Sequence, residues 1–337
     1  MPLRLLAALV SRPKLPSDEG INRQYAFLDH FEEAMKIAWP VFEKNARSDV
    51  PTQYVCLAQE NFFSGTVSRA FIAHDLKQWV VSTLAKLSRQ YPKVLLVPGT
   101  VRWTRSLVKP GEEEEKYGLR KQKALQAIVS DKKNHPRGGY SSGATQSGMF
   151  GYKDGVPKFE DDVQKVKDKN PMLARNTVYV CLGGFVLKYH KKCTYEGEVN
   201  YCSGNIVFEP GTVEGVFTVG GVRYGIEVCK DHGTALQQDV DVHLLVSDWT
   251  HFRESRGKVL LHASTDKDQK QAIPKSGWAS VETLADPGPS VKLYAIDLPA
   301  VAASDQYAFG WAKTDIPAAK LHPFLTEDLK YQRPTVV

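Results

Sequence analysis

Two β-branched runs, Val213 to Val219 and Val222 to Cys229, meet at Gly220-Gly221, and this junction constrains the fold more than any composition figure. Both central positions of a type I′ turn need positive φ, so paired glycines between apolar runs predict an antiparallel hairpin. The second run ends in Val228-Cys229-Lys230-Asp231-His232-Gly233, where apolar sequence turns polar. A thiol is thereby expected at the carboxyl end of a strand, the edge of an α/β sheet at which active sites collect. Alone, such a thiol says little, because cysteine usually packs as a small hydrophobe.

The rest of the chain alternates strand-like and helix-like patterns. Arg4 to Val10 reads as a first strand ended by Pro13. Its Arg/Leu/Ser-rich start, free of acids before Asp18, also fits an organelle transit peptide, the minor reading beside a cytoplasmic location. Ser17-Asp18-Glu19 precedes a helix with Tyr25, Leu28, Phe31, Ala34, Ile37 and Ala38 at helical spacing. Gln53 to Ala58 reads as a strand, Asp75 to Ser88 as a helix, and Lys93 to Val97 as a strand closed by Pro98-Gly99. Further strands are expected at Thr177 to Tyr189, Gly204 to Phe208, Val240 to Val246, Lys258 to Ala263 and Val291 to Leu298.

Residues 106–173 break this pattern with GEEEEK, a helix-like KQKALQAIV and HPRGGYSSGATQSG, and read as an insertion, either a lid or a surface excursion. The expected organisation is a single α/β domain with two sheets over residues 1–312 and a tail at 313–337. Pro317, Pro323 and Pro334 suit a tail that reaches across to a neighbouring subunit.

Several function classes fall away. The 44 basic and 38 acidic residues leave a net charge of +6 spread along the chain, which predicts no nucleic-acid face. No apolar run approaches the roughly 18 residues that span a bilayer, so no membrane segment is expected. Five cysteines, an odd number in a long chain, favour reduced thiols and a cytoplasmic site. His190, Cys193 and Cys202, or Asp239, Asp241 and His243, have no recognised ligand spacing, and phosphate-binding glycine motifs are missing. No metal and no nucleotide-type cofactor is expected.

A cysteine nucleophile needs a base or a positive charge, since an ordinary thiol with pKa near ~8.5 is mostly neutral at pH 7. Glu60 follows the strand ending at Ala58, and Lys191 follows the strand ending at Tyr189. Glu60 suits a proton carrier, and Lys191 suits an oxyanion-stabilising cation acting with the backbone N–H of Lys230. His232 is too close in sequence to Cys229 for a papain-like pair, whose histidine is normally distant; it is expected to line the pocket or cap a following helix.

These segments carry a family resemblance. GTVEGVFTVGGVRYGIEVCKD at 211–231 resembles the nucleophile region of the nitrilase superfamily. RNTVYVCLGGFVLKYHKK at 175–192 is similar to its Asn-containing strand and Tyr-x-Lys element, which assigns the lysine to Lys191, with Lys192 as the fallback. LAQENFFSG at 57–65 resembles its strand-end Glu motif, with Gln59 where the family usually has proline. VPGTVRW at 97–103, DVDVHLLVSDW at 239–249 and VKLYAIDLP at 291–299 resemble other family strands, so the likeness runs in order over residues 4–300 with 106–173 as an extra segment.

The resemblance implies a four-layer αββα sandwich and a Cys229-Glu60-Lys191 triad with no metal or organic cofactor. It also implies a homodimer or higher homo-oligomer assembled through helices flanking the nucleophile. A further glutamate would orient the lysine, Glu198 or else Glu196. The implied chemistry is hydrolysis of a small-molecule amide or nitrile through a covalent thioester or thioimidate. Lys230 stands where nitrile-hydrolysing members often have tryptophan, which favours amides. Trp103, Trp249 and the insertion are candidate pocket walls. Acyl transfer on the same triad, or a non-catalytic member that binds a ligand or partner, are the competing expectations.

Overall fold

Gly220 and Gly221 take φ values of 55° and 80°, the positive angles that a two-residue hairpin turn demands. The strands they join belong to the smaller of two sheets in a computed structural model. It describes residues 2–13, 20–65, 70–107, 118–126, 171–193, 206–248, 250, 253–264, 270–288, 290–299 and 310–311.

The larger sheet contains β1 (Leu3–Val10), β2 (Thr52–Ala58), β3 (Ile72–Ala73), β4 (Val94–Val97), β5 (Thr100–Ser106), β6 (Met172–Leu182), β7 (Phe185–His190) and β8 (Ile206–Phe208). The smaller contains β9 (Val216–Val219), β10 (Val222–Val228), β11 (Val240–Val246), β12 (Gly257–Ala263) and β13 (Gln271–Pro274). The chain then returns to the larger sheet with β14 (Ser280–Gly288) and β15 (Val291–Leu298), and β16 (Gly310–Trp311) pairs with β9. The larger sheet runs β14-β15-β1-β2-β4-β6-β5-β3, and the smaller β13-β12-β11-β10-β9-β16. β1 is parallel to β2, and β10, β11 and β12 are parallel to one another.

Alternation along the strands decides what faces what. Leu5, Ala7 and Leu9 of β1 join Val55 and Leu57 of β2 in a cluster with Tyr224, Ile226 and Val228 of β10 and Val242, Leu244 and Val246 of β11. The two sheets thus pack face to face. Leu6, Ala8 and Val10 point the other way, onto α1 (Gly20–Asn45) and α2 (His74–Gln90). Of the residues expected on the buried face of α1, Leu28, Phe31, Ala34 and Ala38 are buried, Tyr25 is half-buried and Ile37 is exposed, while Phe27, Met35 and Phe42 complete the face. The sequence pattern therefore located the helix and most of its buried face, and the helix continues through Pro40.

The molecule is thus mixed α/β, with more strand than helix. Among the described residues, no helix covers the outer face of the smaller sheet. The segments 229–239 and 247–256 join β10 to β11 and β11 to β12 without a helix longer than a 3-10 turn among their described residues. The helices expected to flank the nucleophile, on which the assembly expectation rested, are therefore not found there. Two strand expectations also change. Thr177 to Tyr189 is two strands, β6 and β7, because Gly183 and Gly184 take φ values of 56° and 93° and reverse the chain. Val213 is exposed, and the hairpin arm starts only at Val216, with Gly215 still accepting the Ile226 N–H at 2.8 Å. Within the expected insertion, residues 118–126 are helical, while 108–117, 127–170 and the tail from 312 lie outside the described residues.

Gly99 links this frame to the end of β2. Its φ is +77°, and a Cβ there would lie 2.0 Å from the Gln59 carbonyl oxygen. Gly99→Ala is expected to cost about 2–4 kcal/mol, from left-handed strain plus overpacking, read as a lowered urea midpoint. A variant as stable as the parent would show that the turn yields without strain.

Candidate active site

Three strand ends deliver the expected residues. Glu60 follows β2 and is 1% exposed. Its backbone N–H donates to the Ser247 carbonyl at 3.2 Å, which fastens the end of β2 to the end of β11. Such a buried carboxylate must be met by donors, because desolvating it without them costs far more than a hydrogen bond returns. Glu60 Oε1 accepts from Lys191 Nζ at 2.9 Å and from Asn176 Nδ2 at 2.8 Å. Oε2 accepts from the Asp248 N–H at 3.0 Å. All three donors to the carboxylate come from outside the Glu60 segment, so the carboxylate has a fixed orientation.

Lys191 follows β7 and is likewise 1% exposed. Its backbone N–H donates to the Asn176 carbonyl, and its carbonyl accepts from Gly211 N–H. A Cβ on Gly211 would lie 2.0 Å from the His190 carbonyl oxygen, so the close approach that seats Lys191 needs glycine. Lys192, by contrast, aims its Nζ at the Ala235 carbonyl at 3.4 Å. The lysine paired with Glu60 is Lys191.

Cys229 follows β10 with φ of 47°, left-handed backbone that a non-glycine residue seldom adopts. It opens the 3-10 turn Cys229–Asp231 and is 9% exposed. Its carbonyl accepts from His232 N–H at 3.0 Å and from Thr250 Oγ1 at 3.4 Å. Val228 pairs with Val246, so Cys229 and Ser247 leave adjacent parallel strands side by side. Ser247, Asp248 and Thr250 between them touch Glu60 and Cys229 alike. No disulfide joins Cys56, Cys181, Cys193 and Cys229. Burial pushes the Cys56 thiol above its ordinary range and the Cys181 thiol up to about 12, which makes them inert core groups.

Asp231 and Glu227 were not singled out by sequence, and both build the turn. Asp231, fully buried, accepts from Tyr189 Oη at 2.7 Å, from Cys193 N–H at 2.6 Å and from Lys192 N–H at 3.1 Å. It ties the cysteine turn to the segment carrying Lys191. Burial drives its carboxyl up to about 6, against the pull of the Lys191 charge and the hydrogen bond from Tyr189. Asn176 and Asp248 were also not named in advance; the Asn in the RNTVYV run was the available signal for the first.

Glu227, His232 and His243 form the described grouping that could hold a metal, with ligand atoms within 4.8 Å of one another. The hydrogen bonding sets the histidine tautomer against it. Arg253 N–H donates to His232 Nε2 at 3.0 Å, so the ring proton sits on Nδ1, the nitrogen that faces Glu227 at 3.1 Å. A cation there would need Nδ1 bare and Nε2 protonated, facing a second N–H.

The remaining expected residues are placed as follows. Lys230 lies half-buried within the 3-10 turn. His232 is spent on Glu227 and Arg253 and caps no helix, because the turn that follows leads into β11. Trp103 packs on the helical side of the larger sheet, with Lys77 Nζ 4.5 Å from its ring centroid and its indole N–H on Thr177 Oγ1 at 2.9 Å. It belongs to the core beneath α2 rather than to the Glu60 cluster. Trp249, Glu196 and Glu198 lie outside the described residues. Among the described residues, no helix is long and apolar enough to cross a membrane.

Compared with models of known protein families and with curated protein sequences, the chain matches none.

The Asp231 carboxyl yields a pH prediction. Its pKa in the fold, about 6, stands above the ordinary 3.8, so the folded chain binds that proton more tightly than the unfolded chain. The resulting stability is full below about pH 4 and is lost as pH rises through about 6. Asp231→Asn stays neutral and keeps an oxygen for the two backbone donors. Relative to this variant, the parent is expected to lose roughly 2–3 kcal/mol between about pH 4 and pH 7 in urea titrations. Parallel pH dependence in the two proteins would refute the assignment.

Proposed function

We propose that this chain is a hydrolase of non-peptide carbon–nitrogen bonds, amides first, with Cys229 as the covalent nucleophile, Glu60 as proton carrier and Lys191 as oxyanion-stabilising cation. The observation that carries it is the buried Glu60–Lys191 pair, 2.9 Å apart, held by Ser247 and Asp248 beside the left-handed Cys229. Backbone strain and a buried ion pair each cost free energy, and their occurrence together at three strand ends is characteristic of a catalytic centre.

In this mechanism Glu60 first takes the Cys229 thiol proton, and the thiolate attacks the amide carbon, forming a C–S bond and a tetrahedral oxyanion that faces the Lys191 ammonium and the Lys230 N–H. The C–N bond then breaks as Glu60 passes a proton to the departing ammonia or amine, leaving a thioester. Glu60 next takes a proton from water, the hydroxide adds to the thioester carbon, and the C–S bond breaks to release the acid and restore the thiolate. Every proton is accounted for on Glu60, Cys229, the leaving group or water.

The facing sheets and the helices α1 and α2 support a nitrilase-type sandwich as the finer reading of the fold. This chain departs from that reading where, among the described residues, nothing longer than a 3-10 turn follows β10 and no helix follows β11 before β12. Self-association remains part of the proposal, with light scattering as its measurement.

The test is a panel of primary amides, N-carbamoyl compounds and nitriles scored for ammonia release, with iodoacetamide labelling mapped by mass spectrometry. Cys229 is expected to label fastest among the cysteines, and Cys229→Ala to abolish turnover of any active substrate. Lys191→Met is expected to lower kcat by about 10²-fold or more. Equal labelling of the thiols, or turnover in Cys229→Ala, would sink the proposal; release from nitriles alone would reassign the substrate.

A further inference from the structure

Glu227 stands two residues before Cys229 on the opposite face of β10 from the inter-sheet core, since Tyr224, Ile226 and Val228 point into that core. An acidic residue on an outer strand face ordinarily meets water. Here Glu227 has no exposed surface, because the chain from His232 to Leu236 folds over its carboxylate, with Arg253 behind His232.

Its carboxylate is consumed by the turn that follows the nucleophile. Oε1 accepts the N–H groups of Ala235 at 3.1 Å and Leu236 at 2.8 Å. Oε2 accepts Gly233 N–H at 2.9 Å and the His232 Nδ1 proton at 3.1 Å. Three backbone donors and an imidazole converge on one side chain that the same strand supplies. Burial opposes ionisation, but these donors together with His243 outweigh it and hold the carboxyl at about 2. His243 Nε2 lies 3.1 Å from Oε2 but off the hydrogen-bond line, while its Nδ1 meets Ser255 Oγ at 3.0 Å.

The network crosses between two loops. His232 Nε2 takes the Arg253 N–H, so Glu227 is connected through one imidazole to the segment after β11. That segment carries Asp248, whose N–H orients Glu60, and Thr250, whose hydroxyl reaches the Cys229 carbonyl. The groups on both sides of the reacting thiol therefore hang from the same anchor.

We propose that Glu227 is a positioning residue of this centre: through His232 and the 233–236 backbone it holds the Cys229 turn in its left-handed form and in register with the Glu60 loop. The inference rests on the hydrolase reading and adds to it a part that neither touches substrate nor belongs to the triad. Replacement by glutamine would turn an amide N–H₂ toward donors that need an acceptor, releasing the turn without removing bulk.

The test uses the full chain and needs no known substrate. Rates of Cys229 alkylation by iodoacetamide are followed from about pH 5.5 to pH 9.5, with peptide mapping, for the parent, Glu227→Gln and His232→Asn; circular dichroism reports the fold. His232→Asn keeps a donor for Glu227 and loses the acceptor for Arg253. Glu227→Gln is expected to shift the alkylation midpoint up by about one pH unit and lower the rate at neutral pH by about tenfold, and His232→Asn to move both in the same direction by about threefold in rate. Effects at the other thiols are not expected. A folded Glu227→Gln with the parent profile overturns the inference. If Glu227→Gln does not fold, an unchanged profile in His232→Asn overturns it. A parent in which Cys229 labels no faster than the other thiols sinks the hydrolase reading itself, a distinct outcome from selective labelling that the variants leave untouched.

Discussion

A carboxylate almost wholly removed from water must collect its donors from the fold, and Glu60 draws them from elements remote in sequence. Asn176, Lys191 and Asp248 lie 116, 131 and 188 residues away and reach it from β6, from the end of β7 and from the end of β11. The two sheets cannot slide past each other without breaking these bonds, because each broken one leaves a buried polar group unmatched at a cost of about 1–3 kcal/mol or more. The face-to-face packing of the sheets and the orientation of the site are in this sense one constraint.

The cysteine turn is held by the same means. Asp231 below it and Glu227 above it are both without exposed surface, and together they take up backbone N–H groups from Lys192, Cys193, Gly233, Ala235 and Leu236. Strain at a left-handed cysteine persists only where the surroundings over-determine it. Two carboxylates flanking Cys229 at equal distance along the chain supply that determination. The absence of a helix after Cys229 among the described residues makes this more pressing, since a helix would otherwise cap the turn with its own ladder.

Much of the frame was legible from local pattern. The limits of β11 and β15 coincide with the β-branched runs, and β1, β2 and β12 differ from theirs by one residue. Gly220-Gly221 announced its hairpin, and Gly183-Gly184 carried the same signal inside a run read as one strand. The centre of the α1 face, Leu28, Phe31, Ala34 and Ala38, was legible, but its edges were not: Tyr25 and Ile37 satisfy helical spacing as well as Phe27 and Phe42 do, and which of them is buried depends on how the helix lies on β1 and β15. Trp103 looked like a pocket wall because it ends a motif, but in β5 its position in the alternation turns it toward α2.

By itself the sequence determined where strands end and which chemically capable side chains stand there: Glu60 after β2, Lys191 after β7, Cys229 after β10. These are local facts, written in apolar alternation and in glycines that permit positive φ. Only the tertiary structure decided that Lys191 and not Lys192 meets the carboxylate, that Asn176 and Asp248 complete its shell, and that Glu227 is an internal anchor rather than a solvated outer residue. The reason is physical. A neighbour across two sheets is chosen by strand register and by how loops close over a face, and the energy that selects it, burial of charge against a fixed set of donors, exists only once the chain has folded.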